Sequence, residues 1–139
     1  MAQIESMLIY AKRFYKRQFL HRQPLHPNLY SRFQQCLQDY YQSGQQFKSG
    51  LPSVNFMASA LHFSPRYLSD LLHHETGKSA LEHIHLFIIN QAKHLLVSSD
   101  ATIAETAYQL GFEHPPYFTR LFKKKTGVNP VEFREQHMN

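Results

Sequence analysis

The chain has 139 residues, which is enough for one domain or two very small ones and too few for a large multidomain enzyme. Its 42% hydrophobic and 18% charged residues are typical of a globular protein rather than a disordered one. Fifteen Lys and Arg against ten Asp and Glu leave a formal charge of +5, which favours acidic partners such as nucleic acid. The single cysteine excludes an intrachain disulfide framework.

The beginning of the chain predicts an amphipathic helix with a basic outer face. Apolar residues recur with helical spacing at Ile4, Leu8, Ala11 and Tyr15, and basic residues lie between them. This pattern favours packing against another helix, including homodimerisation through residues 4–20. The alternative is a membrane-surface or calmodulin-like helix. No apolar run is long enough to span a bilayer and no cleavable signal is visible, so we expect a cytoplasmic protein without a membrane partner.

A second amphipathic stripe follows a break at Pro24, Pro27 and Asn28. Its members are Tyr30, Phe33, Leu37 and Tyr40, and Cys36 lies beside them, where we expect a buried small hydrophobe rather than a reactive thiol. The polar stretch Gln42–Gly50 predicts a flexible connection and the best domain boundary. Residues 1–50 are therefore expected to form an N-terminal helical segment.

From residue 51 onwards, capping residues mark the helices. Ser64 before Pro65 is an N-cap followed by proline at the first helical position, and the pairs Ser79/Glu82 and Thr102/Glu105 have capping-box spacing. No alternating run of strand length occurs, so we expect an all-α fold. The predicted helices are 54–61, 65–76, 80–98, 103–110, one from Pro115 to the residue before Gly127, and a last one that starts at Pro130.

The helical pattern repeats within the chain. An offset of 49 aligns Ala58 with Ala107 and Leu61 with Leu110, and an offset of 50 aligns further residues in the helix that follows. Each copy is a short helix, a tight turn and a longer helix. An α-solenoid fragment is the alternative, but two copies are too few. We therefore predict two helix-turn-helix units, 54–77 and 103–127, joined by a linker helix, 80–98.

Several ordered motifs occur between residues 51 and 134. They are Ala58-x-x-Leu61, Ser64-Pro65-x-Tyr67-Leu68, Leu71-Leu72-x-x-Glu75-Thr76-Gly77, Ala92-Lys93-x-Leu95-Leu96, Ile103-Ala104-Glu105-Thr106-Ala107, Leu110-Gly111-Phe112 and Tyr117-Phe118-x-Arg120-Leu121-Phe122-Lys123-Lys124-x-Thr126-Gly127-x-x-Pro130. With these motifs, residues 51–134 resemble the two-headed DNA-binding domain of the AraC/XylS transcription regulators, and residues 1–50 resemble, less specifically, the end of the sensor or dimerisation domain.

The resemblance implies that residues 51–136 bind promoter DNA and that the protein activates transcription through RNA polymerase. Because the first apolar stripe looks like the end of a larger domain, we also expect the chain to be a truncated form. Two stretches depart from the family, Phe87–Ile89 and His73-His74, where basic residues are common.

The second helix of a helix-turn-helix enters the major groove with its N-terminal residues nearest the bases. Arg66 is suited to guanine and Asp70 to the cytosine amino group, Arg120 is the foremost base or phosphate contact, and the two lysines after it are phosphate contacts. The predicted DNA-binding residues are Arg66, Ser69, Asp70 and His73 in the first unit and Pro116, Thr119, Arg120, Lys123 and Lys124 in the second.

Other kinds of site find little support in the sequence. Paired catalytic carboxylates, a nucleophile elbow and a phosphate-binding glycine loop are missing, and His83 and His85 project about 200° apart on a helix, which is unsuited to a shared metal. We therefore expect no enzyme activity, no catalytic residue, no cofactor and no metal. The alternative function is a protein-interaction module that uses helix-turn-helix packing without binding specific DNA.

Overall fold

The computed structural model describes residues 26–137, and within that range every regular element is an α-helix. The all-α expectation is confirmed. Within the described residues, 32–137 belong to one compact unit. The predicted N-terminal helix and the dimer contact through residues 4–20 lie outside the described residues. The helices are α1 (Leu29–Gln42), α2 (Gln45–Ser49), α3 (Val54–Leu61), α4 (Pro65–Thr76), α5 (Ala80–Ser98), α6 (Ile103–Leu110), α7 (Pro115–Thr126) and α8 (Pro130–His137).

The linker helix α5 is the centre of the core. It packs against α3, α4, α6, α7 and α8, and its buried residues occur along its whole length, from Ala80 to Leu96. The apolar stretch around Ile88 and Ile89 is part of this core, since both side chains are buried. Hydrophobic burial on α5 therefore fixes both helix-turn-helix units to one rod.

Local capping explains where α5 and α6 begin. Ser79 Oγ accepts from the backbone N–H of Glu82 at 3.2 Å, while Glu82 Oε1 accepts from the backbone N–H of Ser79 at 2.9 Å. Thr102 and Glu105 make the same reciprocal pair at the start of α6, at 3.0 and 2.8 Å. Both predicted capping boxes are confirmed.

The stretch Gln42–Gly50 is not the flexible connection that its composition suggests. It contains α2, which packs against α6, and Gln46 Nε2 donates to the backbone oxygen of Gln109 at 3.3 Å. The backbones of Gly50 and Gly111 also lie close together: a Cβ added to Gly111 would meet Gly50 at 3.0 Å. This stretch therefore belongs to the compact unit, because tertiary contacts order a sequence that has weak helix propensity of its own.

Two expectations for α1 also need correction. Leu29 is fully buried and Tyr30 is 43% exposed, so the buried stripe starts one residue earlier than predicted and continues with Phe33, Leu37 and Tyr40. Cys36 is only partly buried. Burial, followed by the charge of Asp39, raises the pKa of the Cys36 thiol, which disfavours the reactive thiolate.

Candidate nucleic-acid interface

The two helix-turn-helix units have the same turn between their helices. After α3, His62 takes a left-handed conformation with φ 67°, and the N–H of Phe63 donates to the backbone oxygen of Ala58 at 2.8 Å. After α6, Gly111 takes φ 102°, and the N–H of Phe112 donates to Ala107 at 3.0 Å. The second helix of each unit therefore leaves its turn in the same way.

The start of each second helix is set locally. Ser64 Oγ accepts from the N–H of Tyr67 at 3.2 Å, and Pro65 follows at the first helical position of α4. In α7, Pro115 takes that position, and the N-cap residue His114 makes no side-chain capping bond. Both helices end at a glycine with positive φ, Gly77 and Gly127. The sequence predicted all of these boundaries correctly.

In α4, the buried side chains are Leu68, Leu71 and Leu72, as expected, so the opposite side of the helix faces outward. Arg66, Asp70 and His73 are exposed. Ser69 is only partly exposed, and its Oγ accepts from the backbone N–H of Ala80 at 3.3 Å. The Ser69 hydroxyl thus has a structural role at the junction of α4 and α5.

In α7, Phe118 and Phe122 are buried and the cationic side faces outward. Thr119, at the position equivalent to Ser69, is partly buried. The predicted residues that are exposed are Pro116, Arg120, Lys123 and Lys124.

Sequence reasoning missed two aromatic residues at the front of α7. Tyr117 is 57% exposed, and the guanidinium carbon of Arg120 lies 4.7 Å from the centroid of its ring. The ring of His114 meets Tyr117 edge-on at 5.9 Å. Tyr117 directly precedes the buried Phe118, so a closer reading of the helical positions would have placed it on the outer side next to Pro116.

Among the described residues, no carboxylate neutralises the cations of the outward sides. Within residues 26–137, the one ion pair closer than 4.0 Å joins His114 and Glu113 at 3.9 Å, and both side chains are largely exposed. The exposed cations Arg66, Arg120 and Lys123 therefore have no carboxylate within ion-pair distance in the described part of the chain.

The basic end of α7 lies beside the first half of α5. Burial, followed by the positive charges of Lys125 and Lys124, lowers the pKa of His85. The bond from the Ser79 N–H, assisted by the charges of Lys125 and Lys78, lowers the pKa of Glu82. The positive potential of α7 thus extends onto the linker helix.

Across residues 26–137, no three His, Cys, Asp or Glu side chains converge as metal ligands. None of the helices described is both long and apolar enough to cross a bilayer. A shallow groove lies apart from the outward sides of α4 and α7, and its lining is rich in glutamine: Gln38, Tyr41, Gln42, Gln46, Phe47, Gln91, Leu95, Gln109 and Leu110.

The chain is similar in sequence to a known family model and to known proteins. A family model described as a helix-turn-helix domain matches residues 57–136. The arabinose operon regulatory protein of Escherichia coli (strain K12) is 36% identical over 110 residues, which cover 79% of this chain and 37% of that protein. The bifunctional transcriptional activator/DNA repair enzyme AdaA of Bacillus subtilis (strain 168) is 33% identical over 83 residues, which cover 60% of this chain and 39% of that protein. The chain spans well under half the length of these relatives.

Solved structures with the same fold include DNA-binding domains. The C-terminal domain of AraT, a response regulator from Geobacillus stearothermophilus, matches with a TM-score of 0.68 and 28% identity, over 84% of this chain and 91% of that one. The DNA-binding domain of AdpA, a global transcriptional factor solved in complex with a target DNA, matches with a TM-score of 0.65 and 22% identity, over 80% of this chain and 93% of that one. The second likeness, at its low identity, shows the fold alone.

Proposed function

Because the chain belongs to the AraC-type family of helix-turn-helix transcription regulators, we propose that it binds promoter DNA sequence-specifically through α4 and α7. Each helix enters the major groove, and the two occupy adjacent groove segments on one side of the duplex. The observation that carries this proposal is the duplication itself: two equivalent helices are fixed to one rod and expose Arg66 and Arg120 without a carboxylate partner among residues 26–137.

The length of the linker helix supports simultaneous binding. Its 19 residues make a rod of about 28 Å at roughly 1.5 Å per residue. Successive major-groove segments on one side of B-DNA lie about 34 Å apart. A single chain of this kind fits two adjacent half-sites that need not be palindromic. We expect a hydroxyl-radical footprint of about two helical turns, and protection of only one turn would contradict simultaneous insertion.

The residues proposed to contact DNA fall into two groups. Arg66, Asp70 and His73 face the base edges from α4, where an arginine suits guanine and a carboxylate suits the cytosine amino group. The Ser69 hydroxyl accepts a bond from Ala80, so any contact that it makes with DNA is an additional one.

The second group lies on α7. Arg120 contacts a base or a phosphate, and Lys123 and Lys124 contact phosphates. Pro116 offers an apolar contact to a thymine methyl group, since it has no backbone N–H, and Thr119 lies beside it at the edge of the outward side.

The test begins with selection of bound duplexes from a randomised library by the full chain, followed by fluorescence anisotropy on the selected sequence. Replacing Arg120 and Lys123 together by alanine is expected to weaken binding at least tenfold, because two charge-assisted contacts are lost. The matched control is Lys48→Ala on α2, an exposed lysine away from α4 and α7. Unchanged binding by the double variant would favour the protein-interaction module instead.

Further proposals concern the protein beyond its DNA-binding region, 51–136. We propose that the protein acts in the cytoplasm and activates transcription through RNA polymerase. The family resemblance supports this, as does the relative AdaA, which is named as a transcriptional activator. In vitro transcription from a promoter that carries the selected site tests this proposal, and a fall in transcript would indicate repression.

We also propose homodimerisation through residues 4–20. Light scattering tests it, and a strict monomer at high protein concentration would contradict it.

The name of AdaA also includes a DNA repair activity, so an enzymatic role is the alternative to test. We propose that this chain is not an enzyme. The Cys36 thiol is partly buried and its pKa is raised, which disfavours a nucleophilic thiolate. We expect Cys36→Ser to leave DNA binding unchanged and the wild-type thiol to remain unmodified by an alkylated duplex. Transfer of an alkyl group to Cys36 would contradict this.

A further inference from the structure

The two recognition helices share one internal framework. Thr76 Oγ1 donates to the backbone oxygen of Leu72 at 2.8 Å, and Thr126 Oγ1 donates to Phe122 at 2.8 Å. The helix that follows each recognition helix is capped by a reciprocal pair of hydrogen bonds: Ser79 with Glu82 after α4, and Asn129 with Glu132 after α7. Residues 50 positions apart therefore occupy equivalent places, and their outward side chains can be compared directly.

The charges at these equivalent places differ. The exposed residues of α7 after its first turn are Arg120, Lys123 and Lys124, and their counterparts on α4 are Asp70, His73 and His74, also exposed. Pro116 on α7 corresponds to Arg66 on α4. With histidine counted as neutral, the exposed side of α4 has no net charge, because Asp70 offsets Arg66, whereas that of α7 carries three positive charges.

This difference acts mainly on phosphate binding. Each phosphate neutralised by a cation releases condensed counterions and adds about 0.9 to the slope of log K against log salt concentration. Asp70 repels a phosphate, but it can accept a hydrogen bond from the cytosine amino group in the major groove. A helix with the charges of α4 therefore gains little affinity from contacts with the DNA phosphates, but it can still distinguish between bases.

The surroundings of α7 increase the contrast. Arg120 lies against the exposed ring of Tyr117, while in the first unit Tyr67 packs against Phe63 with a centroid distance of 5.6 Å. The pKa of Glu82 on the linker helix is lowered mainly by the hydrogen bond from the Ser79 N–H, and the positive charge of Lys125 lowers it further. The positive surface thus continues from α7 to its neighbour.

We propose that the two units contribute unequally to DNA binding: α7 supplies most of the sequence-independent phosphate contacts, and α4 supplies base discrimination with little salt-dependent affinity. This rests on the proposed function and deepens it. Affinity for any duplex, and its dependence on salt, then originate in the second unit, whereas the preference for one sequence depends strongly on the first.

The experiment compares two matched double variants of the full chain, Lys123→Ala/Lys124→Ala and His73→Ala/His74→Ala, which truncate equivalent positions. Binding to the selected duplex and to a mixed-sequence duplex is measured by anisotropy across salt concentrations. For the lysine variant, we expect the slope of log K against log salt concentration to become shallower by about 1.8 on both duplexes. We also expect its affinity for both duplexes to fall at least tenfold. We expect the histidine variant to keep the slope and to lose part of its preference for the selected duplex.

A charge change at Asp70 gives a second, independent readout. Asp70→Arg places on α4 the residue type found at the equivalent position of α7. Because Asp70 is exposed, we expect the variant to fold as the wild type does. Affinity for the mixed-sequence duplex should rise, with a slope steeper by about 0.9. Equal slope losses in both double variants would overturn the unequal contribution while leaving DNA binding intact. Absence of binding by the wild type to every duplex would instead overturn the proposed function.

Discussion

The guanidinium carbon of Arg120 lies 4.7 Å from the centroid of the Tyr117 ring, on the outward side of α7. A cation over an exposed aromatic face is stabilised by about 0.5–1 kcal/mol. The contact also limits the rotamers of a side chain whose freedom is worth about 2 kcal/mol. We therefore expect Tyr117 to position Arg120 for its contact with DNA, and this expectation can be tested directly.

Tyr117→Leu is expected to weaken binding to the selected duplex about two- to fivefold, which corresponds to the loss of a contact of about 0.5–1 kcal/mol. Tyr117→Phe retains the aromatic face and should bind as the wild type does. In an Arg120→Ala background, Tyr117→Leu should have no further effect, which a purely structural role of Tyr117 would not produce.

Phe47→Leu is the control for loss of an exposed aromatic ring, since Phe47 is 69% exposed on α2. Anisotropy titrations of these variants give the comparison. An equal loss for Tyr117→Leu with and without Arg120 would contradict the positioning role.

Gly111→Ala is expected to destabilise the fold more than Gly127→Ala does. Both glycines have positive φ, which costs an L-residue about 1–2 kcal/mol. A Cβ on Gly127 meets nothing within 4 Å, but a Cβ on Gly111 would lie 3.0 Å from the backbone of Gly50. The first variant should therefore lose about 1 kcal/mol more than the second, measured by urea unfolding. Equal losses of unfolding free energy in the two variants would show that the backbones of Gly50 and Gly111 can move apart at little cost.

Glu82→Gln should reduce the loss of stability in acid. The Ser79 N–H bond to Glu82, together with Lys125 and Lys78, lowers the pKa of this carboxyl in the folded state. A lowered pKa contributes stability above the unfolded value of about 4.3, and this contribution is lost as the pH falls through the folded pKa.

Acid unfolding followed by circular dichroism measures the effect of Glu82→Gln. The wild type should exceed the variant in stability at neutral pH, and the difference should shrink in acid. Glu135→Gln, at an exposed position on α8, is the control. A difference independent of pH would contradict the role of the Glu82 charge.

His83 is expected to make stability fall as the pH drops below about 6.5. Burial, followed by the charge of Lys78, lowers its pKa in the folded protein, where Nε2 lies 2.7 Å from Thr76 Oγ1. Between these two pKa values the unfolded chain binds a proton that the folded chain does not bind. The free energy of unfolding therefore decreases as the pH falls from about 6.5 to the pKa of His83 in the folded protein.

His83→Phe should weaken this dependence, because phenylalanine does not titrate and Phe133 occupies the equivalent position of the second unit. Urea unfolding at about pH 7.5 and about pH 5.5 provides the measurement. His94→Gln, at an exposed position on α5, is the control. An unchanged pH dependence in His83→Phe would assign the effect to other groups, His85 among them, whose pKa is also lowered.

The sequence by itself determined the features that depend on short-range chemistry. Helix boundaries from Ser53 to Asn129 could be predicted because a hydroxyl, carboxylate or amide side chain caps a backbone amide three residues away. Proline fixes φ near its helical value, and glycine permits the positive φ at which several of the helices end. The duplicated units could be recognised because the buried Ala58 and Leu61 recur at Ala107 and Leu110.

Only the tertiary structure decided contacts between residues far apart in the chain. The stretch Gln42–Gly50, which contains α2, belongs to the compact unit because Gly111 allows the backbone of Gly50 to approach it. The Tyr41 hydroxyl, just before this stretch, also donates to the Leu110 oxygen at 2.8 Å. Likewise, the Ser69 hydroxyl is engaged by the start of the next helix. Such pairings follow from how complete helices pack around α5, and no local pattern encodes them.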